Sequence, residues 1–312
     1  MNTNQKIVII GAGHVGSHCA MALAWQEICG EIVLVDKDAE KAAAQAQDVA
    51  DALSFPPRQV ILRSGSYEDC KNADIIVVAV GKAREPGQTR LDMLDDSAVM
   101  LHEVVETLNP IHPAGIFITI TNPADIIADY LRKGLGLSRE RVFGTGTLLD
   151  TARLIRILSE ESGVSRASVE AFSMGEHGDS SMIPFSQIRI GGIAYEEIPG
   201  LDRAHILERT RRTGTDIIDG KKSTEFGIGQ SLAVLCRAIL KDEQRVLPLS
   251  VLLEGEYGQR EVHCGVPCRV GRTGISRIIE LPLTEGELKE LDASCRIIKQ
   301  HIERAKKIAP LD

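Results

Sequence analysis

The segment KIVIIGAGHVG, residues 6–16, contains the clearest structural signal in this chain of 312 residues. Its first part, KIVII, is almost continuously apolar and β-branched, which predicts a strand buried on both faces of a parallel sheet. Three glycines follow with the spacing G-x-G-x-x-G, and a helical pattern continues to about residue 28. A second apolar run, residues 31–35, ends at Asp36. The segment therefore predicts a strand–helix–strand unit with a glycine turn.

The three glycines and Asp36 together predict a dinucleotide site. Gly11 permits the tight turn, Gly13 lets a pyrophosphate approach the backbone, and Gly16 lets the helix pack on the strand. Free N–H groups and the positive dipole end at the helix N-terminus favour phosphate. Asp36 follows Gly16 by 20 residues, where a carboxylate accepts hydrogen bonds from ribose hydroxyls and repels the 2′-phosphate of NADP. NAD is the expected cofactor; a plain glycine-rich turn is the alternative.

Apolar strands alternate with helical patterns up to about residue 145, as in a Rossmann-type, doubly wound parallel sheet of the α/β class. Two long helical stretches and three strand-like runs follow, and a capping box of Thr284 and Glu287 opens a C-terminal helix. This change of element order predicts a second, α+β domain. We expect an NAD-binding domain over residues 1–145 and a catalytic, substrate-binding domain over residues 146–312, in contact near residues 144–146.

The segment GKAREPGQTRLD, residues 81–92, leaves the carboxyl end of a buried apolar run at residues 74–80. Ligands bind at this end of the strands in a parallel α/β sheet. Arg84 and Arg90 flank a Pro-Gly turn, and their planar guanidinium groups suit carboxylate or phosphate. The segment predicts a mobile loop that contacts an anionic substrate; a solvated surface turn is the alternative.

Four further polar residues follow predicted strands or lie at the start of a helix. Asn122 follows the strand at residues 114–120, where either a ligand contact or a structural Asn-Pro turn fits. Asp150 and Arg153 are neighbours on one helical face, which by itself favours an exposed ion pair. His177 stands between glycines, so we expect a poorly packed imidazole that is open to solvent or ligand and suited to proton transfer.

Charge and cysteine content exclude several classes of protein. The net charge is −8, and no basic cluster is present to bind nucleic acid. No apolar run is long enough for a membrane span, and the seven scattered cysteines predict reduced thiols in the cytoplasm. A metal clip at His263, Cys264 and Cys268 is not expected, because the sequence CGVPC between the thiols looks like a hairpin and no second ligand pair follows.

Five motifs occur in the order seen in lactate/malate dehydrogenases: GAGHVG with Asp36, GKAREPGQTRLD, TNPAD, GTGTLLDTAR and GEHGDS. The chain resembles that family over essentially its whole length. The resemblance implies an NAD-dependent L-2-hydroxyacid dehydrogenase, in which hydride passes reversibly between NADH and a small 2-keto acid. It also implies a homodimer or homotetramer, with neither nucleic acid nor membrane as a partner.

The resemblance assigns a role to each motif residue. His177 matches the general acid/base, Asp150 the carboxylate that orients it, and Arg153 the clamp on the substrate carboxylate. Arg90 matches the arginine that polarises the substrate carbonyl when the loop closes. The other implied contacts are Asn122 and Thr224 for the substrate, and Gly11, Gly13, His14, Val15, Gly16, Asp36, Val80, Gly81, Ile120 and Asn122 for the cofactor.

Substrate choice depends on Arg84, which occupies the family's specificity position. Lactate enzymes commonly have Gln there, whereas an arginine resembles malate enzymes and pairs with the second carboxylate of oxaloacetate. Closing the loop on pyruvate would leave the guanidinium buried without a counter-ion. We expect malate dehydrogenase activity, with L-lactate dehydrogenase as the alternative because RLDM, GEHGDS and Thr224 resemble the lactate branch. A catalytically silent NAD(H)-binding sensor is the alternative of another class.

Two positions bear on regulation. Bacterial lactate enzymes that fructose 1,6-bisphosphate activates have a basic residue where this chain has Ile155, and a histidine where it has Glu170. The resemblance therefore implies that this activator has no effect here.

Overall fold

The computed structural model describes residues 4–55, 58–82 and 93–311. Arg84 and Arg90 of the predicted substrate loop lie outside the described residues. Strands and helices alternate through the first half as β1 (Lys6–Ile10), α1 (His14–Trp25), β2 (Glu31–Val35), α2 (Ala39–Ala52), β3 (Ile61–Ser64), β4 (Ile75–Val78), α3 (Leu94–Leu108), β5 (Ile116–Thr119), α4 (Ala124–Gly134) and β6 (Val142–Gly144).

The second half has longer helices and an antiparallel arrangement of strands. Its elements are α5 (Leu148–Ser162), β7 (Val169–Glu170), β8 (Arg189–Ile190), β9 (Ile193–Ala194), α6 (Arg203–Lys221), α7 (Phe226–Leu240), β10 (Arg245–Glu254), β11 (Arg260–Gly271), β12 (Gly274–Ile278) and α8 (Glu285–Ile308). Within the described part of the chain, no helix has the length and apolar content needed to cross a bilayer.

The main sheet has the strand order β12-β11-β10-β6-β5-β4-β1-β2-β3, and its strands β1 to β6 are parallel. The chain leaves β1 toward β2 and β3 on one side and then returns to β4 on the other. This reversal is the point where a doubly wound sheet opens a crevice at the carboxyl ends of its strands. The predicted Rossmann-type fold is confirmed, and the glycine turn after β1 lies at that crevice.

The core lies on both faces of the sheet. Along β1, Ile7 and Ile9 belong to an apolar cluster on one face, while Val8 and Ile10 belong to a cluster on the other. All four side chains are buried, as expected for a parallel strand covered by helices on both sides.

The C-terminal strands extend the same sheet, because β10 pairs antiparallel with β6 through Ser250 and Gly144. The backbones come close at this junction. Gly146 has φ +49°, and a Cβ atom on it would lie 2.4 Å from the backbone nitrogen of Ser250. The sequence predicted contact here, but it did not predict that one continuous sheet would connect the two halves.

The expected hairpin at CGVPC is wrong, because β11 runs without interruption from Arg260 to Gly271. Pro267 of β11 lies opposite Pro248 of β10. Proline has no backbone N–H, so both missing donors fall at the same pair of residues between these two strands. Gly265 is required by close packing, since a Cβ atom there would lie 2.8 Å from the carbonyl oxygen of Gly175. Glycine and proline in this segment therefore reflect packing within the sheet and mark no turn.

Candidate active site

The glycine turn after β1 provides an open cradle at the start of α1. Gly11 has φ +110°, and a Cβ atom on it would lie 2.6 Å from the carbonyl oxygen of Ala79. A Cβ atom on Gly16 would lie 1.9 Å from the carbonyl oxygen of Gly11, so helix and turn pack in close contact. At Gly13 no heavy atom lies within 4 Å of such a Cβ atom. This open space, next to the exposed His14 and the N–H groups of the first helical turn, fits a pyrophosphate.

Asp36 is fixed at the carboxyl end of β2, close to this cradle. Its Oδ2 accepts a hydrogen bond of 2.8 Å from the backbone N–H of Ala12, and its Oδ1 accepts one of 3.1 Å from that of Asp38. Lys41 Nζ lies 3.7 Å from Oδ2. The carboxylate therefore belongs to the same turn as the glycines, in the position that a nucleotide ribose requires.

The ends of β4 and β5 form the next part of the crevice. The hydroxyl of Thr121 donates a hydrogen bond of 2.7 Å to the carbonyl oxygen of Val80. This bond joins the two strand ends and fixes the backbone beside Gly81, where an added Cβ atom would meet open space. Sequence reasoning named Val80, Gly81 and Ile120 but missed Thr121, because a threonine next to a strand end has no distinctive signal.

Six of the residues predicted to bind substrate or cofactor, or to catalyse the reaction, line a cavity of about 160 Å³. These are Val15, Ile120, Asn122, Arg153, His177 and Thr224. The sequence missed the other wall, which is formed by Lys82, Met93, Ala124, Thr145, Gly146, Leu149, Gly214, Ile218, Lys222, Ser223 and Ile228. Several of these come from α6 and the turn that follows it, and no motif marks them. Lys82, in the predicted loop of residues 81–92, pairs with Asp96 at 2.9 Å and is the last described residue before position 93.

The imidazole and the guanidinium that line this cavity form a connected group with the buried carboxylate of Asp150, which does not line it. His177 Nδ1 lies 2.5 Å from Asp150 Oδ2, and Arg153 Nη1 donates a hydrogen bond of 3.0 Å to Asp150 Oδ1. The ion pair expected from helical spacing is present, but both of its members are buried. Asp150 therefore contacts the arginine with one oxygen and the histidine with the other.

The expectation of a poorly packed histidine is wrong, since the side chain of His177 is only 12% exposed, although it lines the cavity. Its imidazole is held by Asp150, and its backbone N–H donates a hydrogen bond of 2.8 Å to Asp125 Oδ2. The flanking glycines pack closely as well, because a Cβ atom on Gly175 would lie 2.7 Å from the hydroxyl of Ser294. The glycines thus permit dense packing around the histidine, which faces the cavity.

Hydrogen bonds and an ion pair fix the backbone segments that carry Asn122 and Thr224 in the cavity wall. Ser97 donates a hydrogen bond of 2.7 Å to the carbonyl oxygen of Asn122. The side-chain Oδ1 of Asn122 is buried, and it has no hydrogen-bond partner among the described residues. Such an amide oxygen is suited to a donor from a bound ligand. Beside Thr224, Glu225 accepts a hydrogen bond of 2.7 Å from Ser223 and pairs with Lys221, which fixes this turn.

A larger cavity of about 740 Å³ also borders Arg153 but lacks His177. Its other arginines include Arg156 and Arg209, which both pair with Glu160. Size alone therefore does not identify the candidate site. The smaller cavity is the candidate because it combines an acid/base group, a cation for a carboxylate and the end of the nucleotide crevice.

Known proteins match the chain over nearly its whole length. An L-lactate dehydrogenase of Fusobacterium nucleatum is 40% identical over 98% of this chain and 98% of its own length. The crystal structure of a minor L-lactate dehydrogenase from Enterococcus mundtii matches with a TM-score of 0.92 and 34% identity, covering 97% of this chain and 99% of that one. The malate dehydrogenase of Cryptosporidium parvum matches with a TM-score of 0.93 and 28% identity, covering 98% and 100%.

Two family models account for the two halves of the chain. The lactate/malate dehydrogenase NAD-binding domain matches residues 5–144, and the lactate/malate dehydrogenase alpha/beta C-terminal domain matches residues 147–309. The glycine cradle and Asp36 fit the NAD(H) that the first of these domains binds. The protein is therefore an NAD-dependent oxidoreductase that belongs to the lactate/malate dehydrogenase family.

Proposed function

We propose that the protein reduces pyruvate to L-lactate with His177 as the proton donor. One observation supports the chemistry above all others, namely that His177 and Arg153 line one cavity at the end of the nucleotide crevice and are both held by Asp150. The names of similar proteins, such as the L-lactate dehydrogenase of Fusobacterium nucleatum, support pyruvate as the substrate.

In the proposed reaction the protein residues handle the proton and the charge. NADH, when bound, supplies the hydride to the keto carbon. Protonated His177 donates its Nε2 proton to the keto oxygen and takes it back when lactate is oxidised. Asp150 accepts from Nδ1, which fixes the ring orientation and stabilises the imidazolium form. Both bonds to Asp150 therefore contribute to placing the proton donor.

Arg153 is proposed to bind the substrate carboxylate. A guanidinium pairs with a carboxylate through two parallel hydrogen bonds, which fixes the keto carbon relative to His177. Asp150 anchors Arg153 through Nη1, so the same carboxylate sets the positions of the proton donor and of the substrate clamp. Asn122 and Thr224 are proposed substrate contacts in the same wall. The role of Arg90 in polarising the keto oxygen stays a prediction from the sequence.

Oxaloacetate, with malate as its product, is the second candidate substrate. A specific observation favours it, since Arg84 stands where the family selects its substrate. A hydrogen bond to a charged group contributes about 1.5–3 kcal/mol, so pairing with a second carboxylate would favour oxaloacetate by roughly 10- to 100-fold. The malate dehydrogenase of Cryptosporidium parvum also has a structure similar to that of this chain, which supports oxaloacetate as a candidate.

The test compares kcat/KM for pyruvate and oxaloacetate in the wild type, Arg84→Gln and Arg84→Lys. We expect the wild type to prefer pyruvate and Arg84→Gln to raise that preference further. Arg84→Lys keeps the charge and serves as the control. A wild-type preference for oxaloacetate of about 10-fold or more, lost in Arg84→Gln but largely kept in Arg84→Lys, would replace lactate by malate. Inactivity with both keto acids despite NADH binding would favour the sensor.

We also infer that the protein forms a homodimer or homotetramer in the cytoplasm. Each chain would have an NAD-binding domain over residues 1–145 and a catalytic, substrate-binding domain over residues 146–312. The family resemblance supports all of these assignments. Sedimentation velocity of the purified protein tests the assembly state, and a monomer at micromolar concentration would contradict it.

A further inference from the structure

We propose that Asp125 is a positioning residue that fixes His177 relative to Asn122 across the substrate cavity. This inference rests on the proposed proton transfer by His177. The carboxyl group of Asp125 does not line the cavity itself. It acts through the backbone of the histidine, and no motif role was assigned to it from the sequence.

Asp125 connects two segments that approach the cavity from different parts of the chain. It lies in the first turn of α4, three residues after Asn122, and is only 1% exposed. Its Oδ2 accepts the backbone N–H of His177 at 2.8 Å. Since Asn122 and His177 line the same cavity, this single hydrogen bond sets the distance between the amide and the imidazole.

The bond is the third in a series that anchors consecutive backbone groups. Gly175 exchanges two hydrogen bonds of 2.9 Å with Gly265 of β11. The next N–H, of Glu176, donates at 2.8 Å to the hydroxyl of Ser294 in α8. The N–H of His177 then donates to Asp125 in α4. Three elements hold three successive residues, and Asp125 is the anchor of the histidine itself.

The charge of Asp125 also reaches the imidazole. Burial raises the pKa of Asp125 to about 7, against the lowering effects of the Ser250 side chain and the His177 backbone N–H. The carboxylates of Glu176 and Asp150 raise this pKa further. Asp125 therefore ionises near neutral pH, in the range where an ordinary histidine titrates. Its negative form favours the imidazolium form of His177.

The polar and titratable groups that act on Asp125 come from several elements packed around it. Glu176 and His177 belong to residues 175–180, Asp150 lies on α5, Ser250 on β10 and Cys264 on β11. A hydrogen bond from Cys295 and burial raise the pKa of the Cys264 thiol, so it stays neutral. Of these groups, His177 becomes a cation when it is protonated, while the cation Arg153 is paired with Asp150. Loss of the Asp125 charge therefore makes protonation of His177 less favourable.

The chain offers a matched control one helical turn away. Asp129 lies on the same helix and is 2% exposed. Its Oδ2 accepts a hydrogen bond of 2.6 Å from Lys133, and its Oδ1 lies 3.3 Å from His263 Nδ1. Asp129 does not line the cavity. Substitution of Asp129 thus reproduces the loss of a buried carboxylate from α4 without altering the anchor of His177.

The experiment uses full-length protein carrying Asp125→Ala, Asp125→Asn, Asp129→Ala or Asp129→Asn. For each variant we would measure the thermal midpoint, the Kd for NADH, kcat and KM for the better keto acid, and the pH profile of kcat/KM. Asp125→Ala is expected to lower kcat by about 30- to 100-fold, with the Kd for NADH within twofold. Asp125→Asn retains an oxygen acceptor and is expected to restore kcat to within about fivefold of the wild type.

The pH profile separates a positioning role from a merely structural one. Because Asn has no charge, Asp125→Asn is expected to shift the apparent pKa of kcat/KM downward by about half a unit to one unit. For the Asp129 variants we expect kcat within about threefold of the wild type and an apparent pKa of kcat/KM within about 0.2 units of it. This should hold even where the thermal midpoint falls.

Equal losses of kcat in Asp125→Ala and Asp129→Ala would overturn the inference. If Asp125→Ala does not fold, Asp125→Asn decides, and an unchanged pH profile in that variant refutes the role. A wild-type protein without activity on either keto acid would instead refute the proposed function, and the inference with it. An active wild type whose Asp125 variants behave like the Asp129 variants would refute the inference alone.

Discussion

Asp36 combines a structural bond with a charge, and the two contributions can be separated. Its Oδ2 accepts a hydrogen bond from the N–H of Ala12 in the glycine turn, and the same carboxylate is the predicted acceptor for the ribose hydroxyls. The amide of Asn can accept the same hydrogen bond but has no charge to repel a 2′-phosphate. A conservative substitution therefore changes cofactor choice without removing the bond that shapes the turn.

We expect Asp36→Asn to narrow the preference for NADH over NADPH by about 10-fold or more, with a similar thermal midpoint. Asp36→Ala should also destabilise the turn, because it leaves the N–H of Ala12 without its acceptor. The measurement is kcat/KM for both reduced cofactors in each variant. The nearby Asp38→Asn is the control, and an Asp36→Asn enzyme with the preference of the wild type would contradict the assignment.

Some site residues were predictable from the sequence and others were not. His177, Asp150 and Arg153 stand in the motifs GEHGDS and GTGTLLDTAR, and the resemblance to a known family predicted their roles, although helical spacing alone favoured an exposed ion pair for Asp150 and Arg153. Asp125 also stands within a motif, but its contact with His177 joins residues 52 positions apart. Local patterns contain no information on which backbone group a buried carboxylate contacts. Motifs and the resemblance therefore predicted the members of the site, while the contacts that support them required the fold.

At the level of an element, the start of α8 also combines a feature that the local sequence predicts with a contact that only the fold shows. The capping box predicted from the sequence is present, with the Thr284 hydroxyl accepting from the Glu287 N–H at 3.3 Å and Glu287 Oε2 accepting from the Thr284 N–H at 2.9 Å. The structure adds a tertiary contact. The N–H and the hydroxyl of Ser186 donate to the same carboxylate at 3.0 and 2.7 Å. Glu287 thus caps its own helix and also fastens that helix to a neighbouring turn.

We expect Thr284→Ala to lower the free energy of unfolding by about 1 kcal/mol and Glu287→Ala by about 2–3 kcal/mol, because the second variant also leaves Ser186 unpaired. Burial opposes the ionisation of Glu287, but hydrogen bonds from Ser186 and Thr284 outweigh it and lower its pKa below the ordinary 4.5. Its stabilisation is present above that pH and is lost as the pH falls through the lower folded-state pKa.

Urea unfolding at neutral and acid pH measures both effects. The exposed neighbour Glu285→Ala is the control, and it should change the unfolding free energy by less than about 0.5 kcal/mol. Equal losses for Thr284→Ala and Glu287→Ala at neutral pH would show that the bonds to Ser186 contribute nothing to stability.

At the scale of the whole molecule, two positions bear on activation by fructose 1,6-bisphosphate, because neither has the basic side chain or histidine that would bind its phosphates. Ile155 is apolar, and Glu170 on β7 is an exposed carboxylate that repels phosphate. We expect fructose 1,6-bisphosphate to leave the KM for the keto acid unchanged within about 1.5-fold. Steady-state rates with and without the sugar bisphosphate test this, with inorganic phosphate at equal ionic strength as the control. A clear drop in KM with the sugar bisphosphate alone would contradict the prediction.

The order of strands was only partly accessible from the sequence. The parallel half followed from the alternation of apolar runs, helices and glycine turns, all of which are local signals. The pairing of Ser250 with Gly144, which joins β10 to β6, depends on residues far apart in the chain. No local pattern specifies such a partner, so the continuous sheet appeared only in the structure. The division at residues 145 and 146 into two domains stays a prediction.

The three successive anchors of residues 175–177 have a consequence for synthesis on the ribosome. One anchor is Ser294, which belongs to the last helix of the described chain. The strands β1 to β6, at whose carboxyl ends the nucleotide crevice lies, all precede that helix in the sequence. A growing polypeptide cannot complete the support of His177 until α8 has emerged and docked. A chain released before α8 would therefore lack one of the three anchors of the segment that carries the proton donor.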